Sequence, residues 1–440
     1  MSRSSRRSGK RHGSGFSLRP KRIEYQPKRR LGPYRTAGGV VDGSELLPVG
    51  RRVAYWRGRR KLSQQVFADR LGKSKSWVDK VERGVRSLDK VSSLQDIAAV
   101  LRIDAAVLLG RDVRPAEGAG RVEGVQQIRA ALSGYEIALE RPVPRRSVLP
   151  ASGLAREVTH VWSTFQYARY PQVAGLIPGL LADVQRSHAQ EPERGRVPLV
   201  EAYRVTASLL VKLGSPDLAW LAVDRAMCAA TGDRVSVAAV AVQLGQVLRA
   251  SGQAKEAKPV MLAAAYRIAP PVIEYGPPRE LSLCGTLLIQ AALAAACVGD
   301  DRTATTLIDE AADMATWVGD GRDHHRTGFG STAVELARVA AAVELGETRE
   351  ATARHEKAIT RDGWRWLPAE HRAAYLIDVA RAYLHTDDPG NAGRVLMEAN
   401  RIAPAEIRDR PTSRDVLAQV ARDDAAPMTL IHLAAALGVC

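Results

Sequence analysis

Residues 62–84 read LSQQVFADRLGKSKSWVDKVERG, a stretch that predicts two short helices joined by a tight turn. Ser63 and Ser74 are favourable N-caps, because a serine hydroxyl accepts a hydrogen bond from a free backbone N–H of the first helical turn. Gly72 and Gly84 follow the two helices, and glycine adopts a left-handed backbone there at no steric cost. The stretch therefore predicts a compact helix-turn-helix unit.

The two predicted helices cover residues 64–71 and 75–83. In the second helix, Val78 and Val81 are three residues apart and so lie on one face, which we assign to the core. The opposite face then carries the polar residues Lys75, Ser76, Asp79 and Lys80.

Further helices are predicted on either side of this pair. A first helix covers residues 49–59, a fourth about 90–101 and a fifth about 104–109, each with apolar residues at helical spacing. We therefore predict a five-helix domain at residues 49–111.

Positive charge is concentrated at the beginning of the chain. The formal net charge is +16, yet residues 1–50 and residues 51–90 each carry a net +9, so the remaining residues are slightly acidic. Such a gradient favours a polyanionic partner for the N-terminal region, whereas the alternative is surface charge that only maintains solubility.

The segment 53–109 resembles the Xre, or phage-repressor, family of helix-turn-helix regulators. The resemblance rests on a joint pattern of short motifs, namely Leu62-Ser63-Gln64, Phe67-Ala68, Leu71-Gly72, Glu82-Arg83-Gly84 and Ile97-Ala98 with Leu101. It implies a domain that binds the double-stranded DNA of an operator.

The resemblance also implies a role for individual residues. Gln64 would lie against a phosphate at a helix N-terminus, and Arg83 and Arg86 would bind backbone phosphates. The second helix would face base edges in the major groove. The complete predicted DNA-facing set is Gln64, Ser74, Lys75, Ser76, Asp79, Lys80, Arg83 and Arg86.

Two further residues of this domain have predicted roles. By the same resemblance, Arg57 and Glu82 would form a partly buried, structural ion pair. Trp77 allows two interpretations, stacking on a deoxyribose or packing against the first helices, and we favour packing.

Composition predicts the remaining domain boundaries. Residues 1–48 are rich in Ser, Gly, Arg, Lys and Pro and predict a disordered basic arm, which either contacts phosphates or has no role. Residues 112–150 contain proline-rich breaks and predict a linker, 111–121, followed by one helix at about 122–140. From residue 151 onward the pattern is helical.

Residues 151–440 contain a repeated pattern of small residues. Five alanines that begin the second helix of successive predicted hairpins are spaced by 38, 47, 47 and 41 residues: Ala219, Ala257, Ala304, Ala351 and Ala392. Each has another alanine seven residues later, and four of the five have Ala or Gly twelve residues earlier. Small residues at matched positions allow helices to pack closely and hairpins to stack.

This pattern resembles lengthened tetratricopeptide repeats, and the alternative is a generic alanine-rich bundle. The predicted fold class is therefore all-α, with a helix-turn-helix domain followed by an α-solenoid of tetratricopeptide-like hairpins. The combination also resembles bacterial Xre-type regulators whose repeat domain binds a peptide, a small molecule or another subunit. That resemblance implies ligand sensing and a homodimer.

The sequence predicts neither an enzyme nor a cofactor. No nucleophile elbow, P-loop or HExxH motif is present, and the four cysteines are scattered, so we predict no catalytic residues and no metal site. The adjacent pair His324-His325 fits an inter-repeat loop better than a metal site. No apolar run approaches a membrane span, and we expect a cytoplasmic protein without a membrane partner.

These observations predict a sequence-specific DNA-binding transcriptional regulator. The alternative is a helical-repeat scaffold for protein interactions in which DNA binding is weak or non-specific. The sequence determines neither the operator nor the ligand.

Overall fold

The computed structural model describes residues 49–86, 88, 91–101, 108, 116–135, 139, 149–423 and 426–439, which form two compact units, Met1–Asp112 and Val113–Cys440. All regular secondary structure in these described ranges is helical. The predicted all-α fold class is therefore confirmed. The predicted basic arm, residues 1–48, lies outside the described residues.

The first unit contains α1 (Val49–Arg59), α2 (Gln64–Arg70), α3 (Lys75–Glu82) and α4 (Val91–Leu101). These bounds agree with the predicted helices to within a residue or two at each end. Of the predicted fifth helix only residue 108, a buried leucine, is described.

Serine caps and left-handed glycines delimit α2 and α3 as predicted. The Ser63 hydroxyl accepts from the Val66 backbone N–H at 3.2 Å, and the following Gly72 has a φ of +62°. Gly84 has a φ of +74° after α3. The core of this unit includes Val53, Phe67, Val78, Ile97 and Leu101, all at most 1% exposed.

The second unit begins with α5 (Ala116–Ser133) and continues as helical hairpins. The inner helices are α6 (Ala151–Gln166), α8 (Pro192–Lys212), α10 (Arg234–Ala250), α12 (Pro278–Ala296), α14 (Ser331–Leu345) and α16 (Ala369–His385). Their respective outer partners are α7 (Tyr170–Gln190), α9 (Pro216–Ala230), α11 (Ala254–Ile268), α13 (Asp301–Val318), α15 (Thr348–Ala358) and α17 (Pro389–Ile402). The last helices described are α18 (Pro404–Arg408), α19 (Pro411–Ala421) and α20 (Met428–Leu437), where the sequence pattern predicts two terminal helices at about 412–422 and 428–438.

The repeated alanines occupy equivalent positions in this array. Ala219, Ala257, Ala304, Ala351 and Ala392 are each the fourth residue of an outer helix and at most 1% exposed. At Gly245, an added Cβ would come within 2.5 Å of the Met261 sulfur on the paired outer helix. Small residues are therefore needed where the helices of a hairpin touch, which confirms the predicted solenoid.

The first and last hairpins of this unit pack against each other. Each inner helix contacts the next in chain order, and α16 also contacts α6. One hydrophobic core contains side chains from both regions, for example Tyr170 and Leu213 together with Leu396 and Ile407. The repeat domain therefore closes on itself.

A buried charged cluster lies where the two ends meet. The Lys212 ammonium is 2.6 Å from Glu406 Oε1 and 2.7 Å from Glu370 Oε2. The Tyr170 hydroxyl donates to Glu406, which is wholly buried. Burial alone would raise the pKa of Glu406, but the positive charges of Lys212 and Arg410 lower it below its ordinary value.

Helix α5 differs from its prediction because it begins at Ala116 and ends at Ser133. Gly118 and Gly120 had indicated a linker, since glycine disfavours a helix interior. Packing outweighs this preference: α5 lies against α7, and a Cβ at Gly124 would be 2.9 Å from the Ala174 methyl. Helix α5 thus belongs to the compact repeat unit rather than to a linker.

Contrary to the expectation that no apolar run approaches a membrane span, helix α12 has the length and hydropathy of one. Of its apolar stretch, 83% is buried among the other helices of the unit. We interpret it as a core helix of the repeat domain.

His355 makes the stability of this domain depend on pH. The side chain is fully buried and its Nδ1 lies 3.0 Å from the Tyr375 hydroxyl. Burial lowers its pKa from 6.5 to about 4, so the unfolded chain binds a proton more readily than the folded one between these values. Stability is therefore complete above pH 6.5 and is lost as the pH falls towards 4, by about 3 kcal/mol from this residue.

We expect His355→Gln to retain more of its pH 7 melting temperature at pH 5 than the parent chain does. The matched control is His385→Gln at an exposed position, which should follow the parent. Thermal melting at both pH values measures the effect. An unchanged pH dependence in His355→Gln would contradict the assignment.

Candidate nucleic-acid interface

The N-terminus of α3 presents its first residues to solvent. Ser74 caps the helix, and its hydroxyl accepts from the Trp77 backbone N–H at 3.1 Å. Lys75 and Ser76 are exposed in the first turn, and Lys80 is exposed one turn later. A helix N-terminus with an exposed lysine, Lys75, attracts anions, because the helix dipole adds to the positive side chain.

Asp79 and Arg83 interact with each other on this outer face. Arg83 NH1 lies 3.2 Å from Asp79 Oδ2, and the two side chains are 63% and 42% exposed. At such exposure the pair contributes little to stability. The contact uses Asp79 Oδ2, so Asp79 Oδ1 has no partner of its own among the hydrogen bonds of the described residues.

Glu82 connects three helices of the first unit. Arg57 on α1 donates to both carboxylate oxygens of Glu82, at 2.5 and 3.1 Å. Gln64 on α2 donates to Glu82 Oε2 at 2.8 Å. Glu82 and Arg57 are 6% and 18% exposed, so the ion pair is partly buried.

Gln64 therefore has a structural contact that its position in the sequence did not predict. Its position at the first residue of α2 indicated a phosphate contact, but its amide faces Glu82 instead. The motif fixes the place of Gln64 in the helix and not its side-chain rotamer, so the sequence carries no signal for this bond. Its half-buried state still leaves part of the side chain accessible.

Trp77 packs against the core of the helix-turn-helix unit, alongside Trp56, Leu62 and Leu71. The Arg86 guanidinium lies 5.9 Å from the centre of the Trp77 ring. Trp77 thus supports the shape of the domain, in line with the favoured interpretation. It also positions Arg86, which is exposed just beyond α3.

The outer face as a whole is positive. We use the term recognition face for Lys75, Ser76, Asp79, Lys80, Arg83 and Arg86, of which only Asp79 is acidic. A surface of this kind attracts the phosphate backbone of nucleic acid, and donors and acceptors on one helix can contact base edges.

Within the described residues, no group of three or more His, Cys, Asp or Glu side chains could hold a metal ion. His324 and His325 lie in the loop between α13 and α14, in a 3-10 turn, as predicted for an inter-repeat segment. Trp364 packs on the core between repeats, whereas Trp366 is 62% exposed.

Residues 48–109 match a family of helix-turn-helix domains. The chain is also 30% identical over 95 residues to the HTH-type transcriptional regulator SlrR of Bacillus subtilis (strain 168). That match covers 20% of this chain and 62% of SlrR, so the chain spans less than two thirds of that relative. The first unit is thus a helix-turn-helix domain.

Two solved structures show a weaker likeness to the chain. The Bacillus thuringiensis protein PlcR, solved with the peptide PapR7 and DNA, has a TM-score of 0.33 at 14% identity, over 71% of this chain and 94% of PlcR. A mutant form of PrgX has a TM-score of 0.36 at 10% identity, over 79% and 99% of the two chains.

Proposed function

We propose that this protein is a sequence-specific DNA-binding transcriptional regulator, in which the repeat domain mediates dimerisation, senses a ligand, or both. The observation that carries the proposal is the recognition face, an exposed and mostly cationic surface on the third helix of a helix-turn-helix domain. The partial match to the regulator SlrR supports a role in transcription.

In this proposal α3 lies in the major groove. Lys75 and Lys80 donate to guanine O6 or N7, and Asp79 accepts from cytosine N4. Ser76 contacts either a donor or an acceptor on a base edge, because its hydroxyl can both donate and accept. Asp79 keeps one oxygen for this contact because Arg83 occupies the other.

The remaining members of the predicted set hold the DNA backbone. Arg83 and Arg86 are exposed at the end of α3 and would bind phosphates. Ser74 and Gln64 lie at the N-termini of α3 and α2, where backbone N–H groups favour an anion. Gln64 would have to share its amide between Glu82 and a phosphate.

The repeat domain supplies the regulatory part of the proposal. It makes up most of the chain, and we assign to it dimerisation and the binding of a peptide, a small molecule or a protein. A homodimer would place two recognition faces on one operator, which should then be close to palindromic. The protein would act in the cytoplasm, without a cofactor and without an enzymatic reaction.

We expect Lys75→Ala to relax the sequence preference at one base pair of the site. A lost lysine contact to guanine reduces discrimination against the wrong base by about 1–3 kcal/mol. Selection of bound sequences from a random DNA library, followed by gel shifts on single-base variants, measures this. Lys61→Ala is the matched control, since this exposed lysine lies after α1 and outside the recognition face.

Arg83→Ala should have a different signature. Because a phosphate contact carries no sequence information, affinity should fall for all sequences alike, and the slope of log K against log salt should decrease by about 1. If Arg83→Ala changed the preferred sequence instead, its assignment to the backbone would be wrong.

The experiment that decides the function is sequencing of genomic DNA bound by the full chain in cells. Reproducible sites that share a motif, lost in the Lys75→Ala variant, would support a regulator. Binding without any preferred sequence, with transcription unchanged in the Lys75→Ala strain, would overturn the proposal and favour the alternative of an interaction scaffold.

A further inference from the structure

A cavity of about 700 Å³ opens on the inner side of the repeat domain. It lies among α6, α8, α10, the start of α12 and the loop that contains His324 and His325. This volume is in the range of pockets that bind small molecules. The apolar part of its wall includes Val158, Val197, Pro198, Val235 and Ala239.

Three buried nitrogen atoms on residues of the cavity wall have no hydrogen-bond partner in the part of the chain that the structure describes. Trp162 is 2% exposed and lines the cavity, yet its indole N–H meets no acceptor among the described residues. The Nε2 atoms of His324 and His325 are also buried without a partner. A buried donor without an acceptor is costly, and a bound ligand oxygen would satisfy it.

Arg204 contacts both Trp162 and the loop that carries His325. It is wholly buried, lies over the Trp162 ring at 5.5 Å, and donates to Gln243 at 2.8 Å. Its NH2 donates to the His325 carbonyl at 3.0 Å. This bond holds the loop at a residue whose φ is +52°, an uncommon conformation for a residue with a side chain.

The charge of the cavity wall that is not balanced by an ion pair is positive. The acidic groups of the wall are already engaged: Glu201 accepts from Arg204 at 2.5 Å, and Asp323 accepts from Gln166 at 2.6 Å. Asp323 also accepts from the Gly328 backbone N–H and lies 3.9 Å from Arg326.

Arg279, an exposed side chain at the start of α12, is the charged residue of the wall that remains without an ion pair within residues 149–423. Arg194, by contrast, lies 3.3 Å from Glu191. Burial, together with the charges of Arg204 and Arg279, lowers the pKa of His325 to about 4, so this imidazole is neutral at pH 7. Burial and Arg279 likewise lower the pKa of His324.

The loop also limits the length of a ligand. Asp323 lines both this cavity and a neighbouring one of about 320 Å³ that contains Tyr167 and Trp366. Because Gln166 and Arg204 hold the loop in place between the two cavities, an extended chain along the inner helices would have to displace it. A compact ligand fits the cavity without this change.

We propose that this cavity binds a small amphipathic carboxylic acid that carries a further oxygen acceptor. The carboxylate pairs with Arg279, the second oxygen accepts from the Trp162 indole, and the apolar body packs on Val158, Val197 and Val235. This proposal deepens the ligand-sensing part of the proposed function. It rests on that function only for the consequence that occupancy changes DNA affinity.

The test is isothermal titration calorimetry on the full chain with 3-hydroxy-2-naphthoate and its neutral counterpart, 3-hydroxy-2-naphthamide. We expect the acid to bind at least tenfold more tightly than the amide. Arg279→Gln should remove this difference, whereas Arg279→Lys should retain most of it. Arg302→Gln, an exposed arginine on α13 outside the cavity, should behave as the parent chain.

Equal binding of acid and amide, or binding of neither by the folded parent chain, would overturn the proposal. So would a preference for the acid that survives in Arg279→Gln. Gel shifts with the selected operator are run separately on the same samples. Failure of the DNA-binding proposal therefore appears in the gel shift alone, and failure of the ligand proposal in the calorimetry alone.

Discussion

Glu406→Ala is expected to destabilise the repeat domain by about 3–5 kcal/mol, because it removes the wholly buried one of the two carboxylates that Lys212 contacts. Glu406 is wholly buried, and it also accepts from Tyr170 and lies 3.5 Å from Arg410. Removing the carboxylate therefore leaves several polar groups unsatisfied in the core. Urea unfolding of the full chain, followed by far-ultraviolet circular dichroism, measures the loss.

The effect should appear at both ends of the repeat domain. Lys212 and Tyr170 belong to the first hairpins, and Glu406 follows the last outer helix, so the cluster ties segments about 200 residues apart. In hydrogen–deuterium exchange, protection should fall together in α7, α8 and α18. An increase in exchange confined to α18 would show that the cluster does not hold the ends together.

Glu398→Ala is the matched control for this prediction. Glu398 is also a glutamate paired with an arginine, Arg401, but the pair lies on one helix and is 41% and 73% exposed. A surface pair of this kind contributes about 0–1 kcal/mol. The double variant Lys212→Met with Glu406→Met should lose less stability than the two single losses combined, since neither charge is left without the other.

The charged cluster also shows which part of the fold could not be predicted from the sequence. The solenoid could be predicted because its close helix contacts require small residues, and Ala219 and its equivalents repeat at readable spacing. The contacts of Lys212 with Glu370 and Glu406 join the two ends of the domain, and these residues recur at no period. Their contact depends on the curvature summed over all the hairpins, and no single repeat determines it.

In the helix-turn-helix domain, the contacts of single side chains likewise could not be predicted from the sequence. Its helices follow from caps, glycines and apolar spacing, which act locally, and the predicted bounds agree closely with the structure. The bond from Gln64 to Glu82 depends on a rotamer, and so does the placement of Arg86 over Trp77. The local sequence pattern therefore predicts which residues lie near the predicted DNA-facing surface, but not which of them already contact other residues of the domain.

Gly50→Ala is expected to disrupt the helix-turn-helix domain. A Cβ at this position of α1 would lie 2.0 Å from the Val81 carbonyl oxygen of α3, a contact that no structure tolerates without movement. The obstacle is backbone and cannot rotate away, so α1 must shift from α3. We expect a loss of about 3 kcal/mol, the upper part of the range for overpacking.

The consequence for function follows from the position of this contact. Val81 is in the same helix as Lys75 and Lys80, so a displaced α1 also disturbs the recognition face. Arg57 and its bond to Glu82 would move with α1 as well. Operator binding in a gel shift should therefore weaken by tenfold or more, and exchange of backbone amides should rise throughout α1–α4.

Gly58→Ala supplies the matched control in the same helix. Apart from its own helical turn, no atom of the described residues lies within 4 Å of a Cβ built at Gly58, and alanine is favoured over glycine in a helix by up to about 1 kcal/mol. This variant should be as stable as the parent or more so, with unchanged operator affinity. If both variants lost stability equally, the cause would be a general intolerance of α1 to substitution. If Gly50→Ala kept full protection and full affinity, the close approach of α1 to α3 would be wrong. Each of the two variants adds one methyl group to α1. Comparing them therefore distinguishes the effect of the close contact between α1 and the α3 backbone from the effect of helix propensity.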